Sequence, residues 1–193
     1  KKSREITAAD AGSLYLVERG KDSSTQQDDL LRFKLTQNDS VLVPFEEFTM
    51  PLAETSIAGY AALTGKSVHV ADAYDLPPGS PFRISSSWDE QSGTVTIDES
   101  LEAGYRTKSM LVVPMCDHKK EVIGVVQLIN KKRDARAVLR PVAVVDEEVM
   151  AFTEVDKDLV TSLASQAAVA YENTLLLDDI RGFSVELQAR TGT

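Results

Sequence analysis

The chain has 193 residues, of which 42% are hydrophobic, and its 30 acidic and 21 basic side chains give a net charge of −9. This length and composition are typical of one globular domain with a hydrophobic core. Nucleic-acid binding usually needs a clustered positive surface, and the longest basic run is Lys131–Arg133, so we expect no nucleic-acid partner.

Two further classes are disfavoured by the sequence. No apolar stretch approaches the roughly 20 residues of a membrane-spanning helix, so we expect no membrane insertion. The single cysteine, Cys116, cannot form an internal disulfide and is too few for a cysteine-rich metal site, which favours a reducing, cytoplasmic compartment. The chain starts without Met and ends within a helical pattern, so we interpret it as a domain excised from a longer protein.

The first part of the chain predicts two strands, a helix and a short third strand. A short helix end precedes them, and alternating apolar residues indicate the strands. Thr55 or Ser56 can cap the helix and Gly65 can end it. The predicted elements are strands over Gly12–Glu18, Leu30–Leu35 and Lys66–Val70, a loop over Gln37–Met50, and a helix over Thr55–Thr64.

The second part predicts a hairpin followed by a long helix. An acidic segment, Ser85–Glu102, comes first and contains a short strand over Gly93–Ile97. The remaining predictions are hairpin strands over Met110–Met115 and Val122–Ile129, an edge strand over Val142–Val145, and a helix from Glu154 to about Leu187. This order predicts an α+β fold, in which a central antiparallel sheet of five to six strands carries helices on its faces.

The last predicted helix carries two apolar stripes. Leu159, Leu163, Ala167 and Ala170 form a stripe that suits packing against the sheet. A second stripe steps by four and three residues, as in a coiled coil, and favours a homodimer through this helix; a helical linker that frays when isolated is the alternative. The members of the second stripe are Val169, Asn173, Leu176, Ile180, Phe183 and Leu187.

Four sequence fragments in order resemble the GAF domain, a small-molecule-sensing module of signalling proteins. The fragments are Ala9–Leu16, Ser56–Tyr60, Gly104–Ser109 and Val122–Lys131. The resemblance covers about Ala9 to Asp178. It implies a sensory domain over residues 1–178 and a truncated linker or signalling helix over residues 179–193, joined to an output domain in a larger protein.

The resemblance also implies a ligand pocket and a pair of residues that closes it. In the cyclic-nucleotide-binding branch, an Asn-Lys pair is followed by Phe-x-x-x-Asp-Glu, and Asn130, Lys131, Phe152 and Asp156 match while Lys157 replaces the Glu. A Lys131–Asp156 ion pair would hold the lid segment shut. The pocket residues implied are Ser13, Thr36, Ile57, Ala58, Thr107 and Gln127, with cAMP or cGMP as the candidate ligand.

The sequence thus favours a non-catalytic regulatory domain that binds a small molecule and passes its occupancy to a dimeric helix. No catalytic or metal-binding residue is expected. One alternative is a dimerisation module without ligand. The other is a sulfoxide reductase of the GAF type, although those enzymes use several cysteines and this chain has only Cys116.

Overall fold

The structure is a computed structural model that describes residues 1–20, 29–42, 46–82, 105–140 and 142–191, the last range by backbone alone at residues 142, 178–180 and 182–191. The predicted strand over Gly93–Ile97 and the acidic segment Ser85–Glu102 lie outside the described residues. The helices are α1 (Lys2–Thr7), α2 (Ile57–Thr64), α3 (Val142–Glu148) and α4 (Glu154–Thr191). The strands are β1 (Ala9–Glu18), β2 (Leu30–Asn38), β3 (Phe48–Pro51), β4 (Val68–Val70), β5 (Met110–Cys116), β6 (Val122–Lys132) and β7 (Val149–Met150).

Within the described residues, the strands form one antiparallel sheet in the order β3–β2–β1–β6–β5–β4, with the two-residue β7 paired to the end of β6. The predicted α+β class and antiparallel sheet are therefore confirmed. None of the described helices combines the length and hydrophobicity that crossing a bilayer requires.

Each face of the sheet has its own hydrophobic core, because side chains alternate between the two faces along a strand. Helix α2 packs on one face, which we call the α2 face, and α4 packs on the other, the α4 face. Core residues of the α2 face include Tyr15, Phe33, Val112, Val125 and Ile129. Core residues of the α4 face include Leu111, Val113, Met115, Leu128 and Phe152.

Two secondary-structure predictions were wrong. The predicted loop over Gln37–Met50 begins inside β2 and ends inside β3, which pairs with β2 from Phe33↔Phe48 onward. The segment Val142–Val145 is the start of α3 rather than an edge strand. Val145 is fully buried in the core of the α2 face, so tertiary packing outweighs the β-propensity of the valines.

The stripe of α4 that packs on the sheet differs from the predicted stripe. Leu159 is 44% exposed, and Ala167 and Ala170 are also exposed. The neighbouring stripe, about 100° around the helix, is the one that lies against the sheet. Its buried residues are Val160, Ala164 and Ala168.

A buried ion pair joins the start of β1 to the end of β6. Lys132 Nζ lies 3.1 Å from Asp10 Oδ1, and the two side chains are 2% and 0% exposed. Ser40 donates to the same carboxylate oxygen at 2.7 Å. Burial and the nearby Asp10 charge raise the pKa of Tyr105, so its phenol stays protonated in this cluster. The cluster therefore links the start of β1 and the end of β6 to Tyr105, the first described residue after the segment 83–104.

We predict that Lys132→Met lowers the free energy of unfolding by about 3–5 kcal/mol, because it leaves the Asp10 carboxylate buried without its partner. Urea unfolding followed by circular dichroism measures this. Lys66→Met makes the same change at an exposed position and should alter stability by less than about 0.5 kcal/mol. Equal losses for the two variants would contradict the proposed importance of the pair.

Candidate functional site

Three of the predicted pocket residues form a polar row across the middle of the sheet. Ser13 on β1 is paired with Thr36 on β2 and with Gln127 on β6. Directly paired residues of an antiparallel sheet point to the same face. The Ser13 Oγ and Thr36 Oγ1 atoms lie 3.3 Å apart, within hydrogen-bonding distance.

The polar row faces the same side as α2. Gln127 pairs with Val112 on β5, and Val112 pairs with Val68 on β4. Both valines belong to the core of the α2 face. The row is therefore polar at one end and apolar at the other. That combination suits a small molecule with one polar edge.

An irregularity in β2 brings Thr36 into the row. The pairing of β1 with β2 shifts between Leu14 and Tyr15, so that Leu14 pairs with Leu35 while Tyr15 pairs with Phe33. Such a bulge adds one residue to a strand and changes which side chains share a face. As a result, Phe33 and Thr36 both point to the α2 face, although they are three residues apart.

Gln127 is the most buried member of the row. It is 2% exposed, and among the described residues no hydrogen bond reaches its side-chain amide. Its side-chain amide can both donate and accept hydrogen bonds.

The start of α2 covers this face with a fixed backbone. Ser56 caps the helix by accepting a hydrogen bond from the Gly59 backbone N–H at 3.0 Å. A Cβ at Gly59 would lie 2.0 Å from the Ala53 carbonyl oxygen, so glycine allows this close approach. Ile57 and Ala58, the predicted pocket residues of α2, are 5% and 3% exposed and join the core of the α2 face.

Asn130 fixes the segment that enters β5. Its side-chain oxygen accepts a hydrogen bond from the Lys108 backbone N–H at 2.7 Å, and its side-chain nitrogen donates to the Arg106 carbonyl at 2.8 Å. The predicted pocket residue Thr107 lies between them and is fully buried. Asn130 has a φ of 56°, a left-handed conformation that Asn tolerates better than most residues.

The next residue, Lys131, forms an ion pair with Asp156 at the start of α4. The ammonium donates to Asp156 Oδ2, and the two side chains are 16% and 7% exposed. The same carboxylate oxygen accepts hydrogen bonds from the Thr153 backbone N–H at 2.6 Å and hydroxyl at 2.8 Å. In return, the Thr153 hydroxyl accepts from the Asp156 N–H at 3.2 Å, so the two residues form a capping box.

The pair also sets the rotation of α4. Because Asp156 faces β6, the residues at steps of four after it face the sheet as well. These residues are Val160, Ala164 and Ala168. The sequence contained the pattern Thr-x-x-Asp before an apolar run, which indicates a capping box and could have identified both Thr153 and this rotation.

The Asp156 carboxylate has a lowered pKa. Its burial acts to raise the pKa, but hydrogen bonds from Lys131 and from Thr153 stabilise the charged form and outweigh that effect. The carboxylate is therefore ionised at neutral pH and remains so into moderately acidic solution.

Most of the chain matches a known protein family. The GAF domain family matches residues 1–171. The chain belongs to the GAF domain family. A cGMP-specific 3′,5′-cyclic phosphodiesterase from Drosophila ananassae is 28% identical over 131 residues, which are 65% of this chain and 10% of that protein. The chain thus spans about a tenth of this relative's length.

Two solved structures share the fold at low sequence identity. The GAF domain of an Acinetobacter phosphoenolpyruvate-protein phosphotransferase superposes with a TM-score of 0.56 and 15% identity, over 91% of this chain and 78% of that one. A free methionine-R-sulfoxide reductase from Neisseria meningitidis gives 0.50 and 19%, over 88% and 71%. At this level of identity the likeness is one of fold.

The single thiol of this GAF domain has a raised pKa. Cys116 ends β5 and is partly buried against the core of the α2 face. Burial first, and then the Asp117 charge, raise the pKa of the thiol. Since the thiolate is the reactive form, a raised pKa lowers the fraction of Cys116 that can act as a nucleophile at neutral pH.

We predict that Asp156→Asn lowers the free energy of unfolding by about 2 kcal/mol at pH 7, because it removes the charge that Lys131 and the Thr153 N–H stabilise. The lowered pKa means that this contribution is present above the unfolded-state value near 3.9 and is lost as the pH falls through the folded value. The difference from the unsubstituted chain should therefore shrink below about pH 4.

Asp158→Asn is the matched control, since Asp158 is an exposed residue of the same helix turn. Denaturant unfolding at several pH values measures both variants. The interpretation would be wrong if Asp156→Asn and Asp158→Asn gave the same stability at every pH.

Proposed function

We propose that this GAF domain is a non-catalytic sensory domain that binds a small molecule, with a cyclic nucleotide such as cGMP or cAMP as the leading candidate, on the α2 face. The observation that carries the proposal is the polar row of Thr36, Ser13 and Gln127 on a face that is otherwise apolar. A planar base placed over the sheet would offer donors and acceptors to these three side chains. The name of the phosphodiesterase relative supports the choice of nucleotide.

The remaining predicted pocket residues suit the rest of such a ligand. The backbone N–H groups at the start of α2, near Ile57 and Ala58, are suited to a phosphate, because the first N–H groups of a helix lack partners within the helix. Thr107 lies in the segment held by Asn130 and adds a hydroxyl to the same region. We propose these residues as ligand contacts.

The effect of ligand binding on the α2 face would be transmitted to α4 through the end of β6. Asn130 holds the segment over the α2 face, and Lys131 holds the start of α4 on the opposite face. A ligand that binds more tightly when this segment is in one position would shift the population towards that conformation. The end of β6 and the start of α4 would shift with it. The Lys131–Asp156 pair therefore closes the pocket indirectly in this proposal.

The output of the domain would be a homodimer formed through α4. Val155, Leu159, Val169 and Leu176 are 67%, 44%, 57% and 59% exposed, and they lie on a stripe of alternating four- and three-residue steps. The helix continues 23 residues past Ala168, or about 35 Å, which is much longer than the sheet needs. A second copy of the same stripe is the partner that a two-fold axis would supply.

Residues 179–193 would then be the signalling helix that leads to an output domain, and residues 1–178 the sensory domain. The backbone of α4 runs through this boundary without interruption. We further propose a cytoplasmic location, in keeping with the single free thiol.

The dimerisation-only alternative differs in one measurable respect, since it requires no ligand. The reductase alternative requires a reactive thiolate, which the raised pKa of Cys116 disfavours. Methionine sulfoxide reduction that is lost in Cys116→Ser would support that alternative over our proposal.

We predict that isothermal titration with cGMP or cAMP gives saturable binding, and that Gln127→Leu weakens it at least about tenfold by removing a buried hydrogen bond. Gln37→Leu is the matched control, because Gln37 pairs with Gly12 and lies on the opposite face of the sheet. Absence of binding by the unsubstituted chain, or equal binding by both variants, would overturn the nucleotide proposal.

We predict that Leu176→Glu raises the dimer dissociation constant at least about tenfold, because it places a charge in the apolar seam. Analytical ultracentrifugation over a range of concentrations measures this constant. Thr174→Glu adds the same charge to an exposed position beside the seam and should leave it unchanged. A chain that stays monomeric throughout would refute the dimer.

A further inference from the structure

Three potential metal ligands meet where the β5–β6 turn touches α4. Asp117 and His118 lie in the turn, and Glu172 lies on α4, 54 residues later than His118. One ligand atom from each residue lies within 4.8 Å of the others. Two of these atoms, His118 Nδ1 and Glu172 Oε1, are 2.7 Å apart.

The turn presents these ligands on a fixed backbone. Asp117 Oδ1 accepts hydrogen bonds from the backbone N–H groups of Lys119 at 2.9 Å and Glu121 at 2.8 Å. The Lys120 N–H donates to the Asp117 carbonyl at 3.0 Å, which closes the turn. Among the described residues, no hydrogen bond is made to Asp117 Oδ2, so this oxygen remains free to coordinate.

The spacing fits a small divalent ion with only side-chain rotation. Ligands about 2.1 Å from a tetrahedral ion are about 3.4 Å from one another. This value lies between the 2.7 Å that separates His118 from Glu172 and the 4.8 Å within which all three ligand atoms lie. The side chains of His118 and Glu172 are 71% and 27% exposed, so both can rotate and water can complete the coordination. The ammonium groups of Lys119 and Lys120 are exposed and can turn to solvent.

We propose that Asp117, His118 and Glu172 form a binding site for a divalent transition-metal ion of the zinc class. One imidazole and two carboxylates suit zinc and its neighbours better than magnesium or calcium, which prefer oxygen ligands alone. The set leaves at least one position for water.

The site would fasten α4 to the sheet at the point where the helix leaves it. Among the α4 side chains that the structure describes, Ala168 is the last that is fully buried, Tyr171 is partly buried, and Leu175 is already 48% exposed. A metal ion at Glu172 would therefore hold in place the last turn of α4 that contacts the sheet, independently of any ligand on the α2 face. Metal availability then becomes a second input to the same helix.

The test is titration of the metal-free chain with Zn²⁺ by calorimetry and with Co²⁺ by absorption spectroscopy. We expect one ion per chain, and the visible bands of low-coordinate Co²⁺ with nitrogen and oxygen ligands. His118→Gln and Glu172→Gln should each weaken binding at least about tenfold. His69→Gln removes the chain's other histidine, which is exposed on β4, and should leave binding unchanged.

Amide hydrogen exchange tests whether a bound ion fastens α4 to the sheet. Zn²⁺ should slow exchange at residues 172–177 in the unsubstituted chain and in His69→Gln, but not in His118→Gln. Failure to bind either ion, or binding that both His118→Gln and Glu172→Gln retain, would overturn the site. Since the experiment contains no nucleotide, its outcome is independent of the proposed sensory function.

Discussion

Three consecutive residues at the end of β6 connect the parts of this domain. Asn130 holds the segment that enters β5, Lys131 pairs with Asp156 at the start of α4, and Lys132 pairs with Asp10 at the start of β1. The left-handed backbone at Asn130 allows neighbouring side chains to reach three different elements from one strand end. Each contact is at least partly buried, so loss of one partner would leave a polar or charged group without compensation.

The two faces of the sheet have different roles in the proposed function. The α2 face carries the polar row beside an apolar core, and the α4 face carries a tightly packed helix that extends well past the sheet. A change on one face can reach the other through the strand end at residues 130–132, because that strand end bonds to elements on both faces. In our account, the ligand acts on the first face and the dimer and the metal site act on the second.

Sequence patterns predicted much of this arrangement and missed some of it for physical reasons. The hairpin and the long helix followed from local apolar periodicity, and the family resemblance placed Gln127 in the pocket. The alignment of Thr36 with Ser13 could not be predicted, since it depends on a bulge that arises only when the strands pair. The facing stripe of α4 was misassigned because two adjacent apolar stripes look equally suitable, and only the contact of Asp156 with Lys131 selects one. The helix at Val142 formed against its local propensity, because Val145 is buried in the core.

The side-chain amide of Gln127 gives the most direct measurement of the central claim, which is that the α2 face is where a small molecule binds. Nuclear magnetic resonance resolves this NH₂ group, and a cyclic nucleotide can be added stepwise while its shift is followed. Our account predicts a saturable shift of the Gln127 amide, with the side-chain amide of Gln37 on the opposite face unmoved. A saturable shift confined to Gln37 and residues of α4, with Gln127 unchanged, would contradict the account.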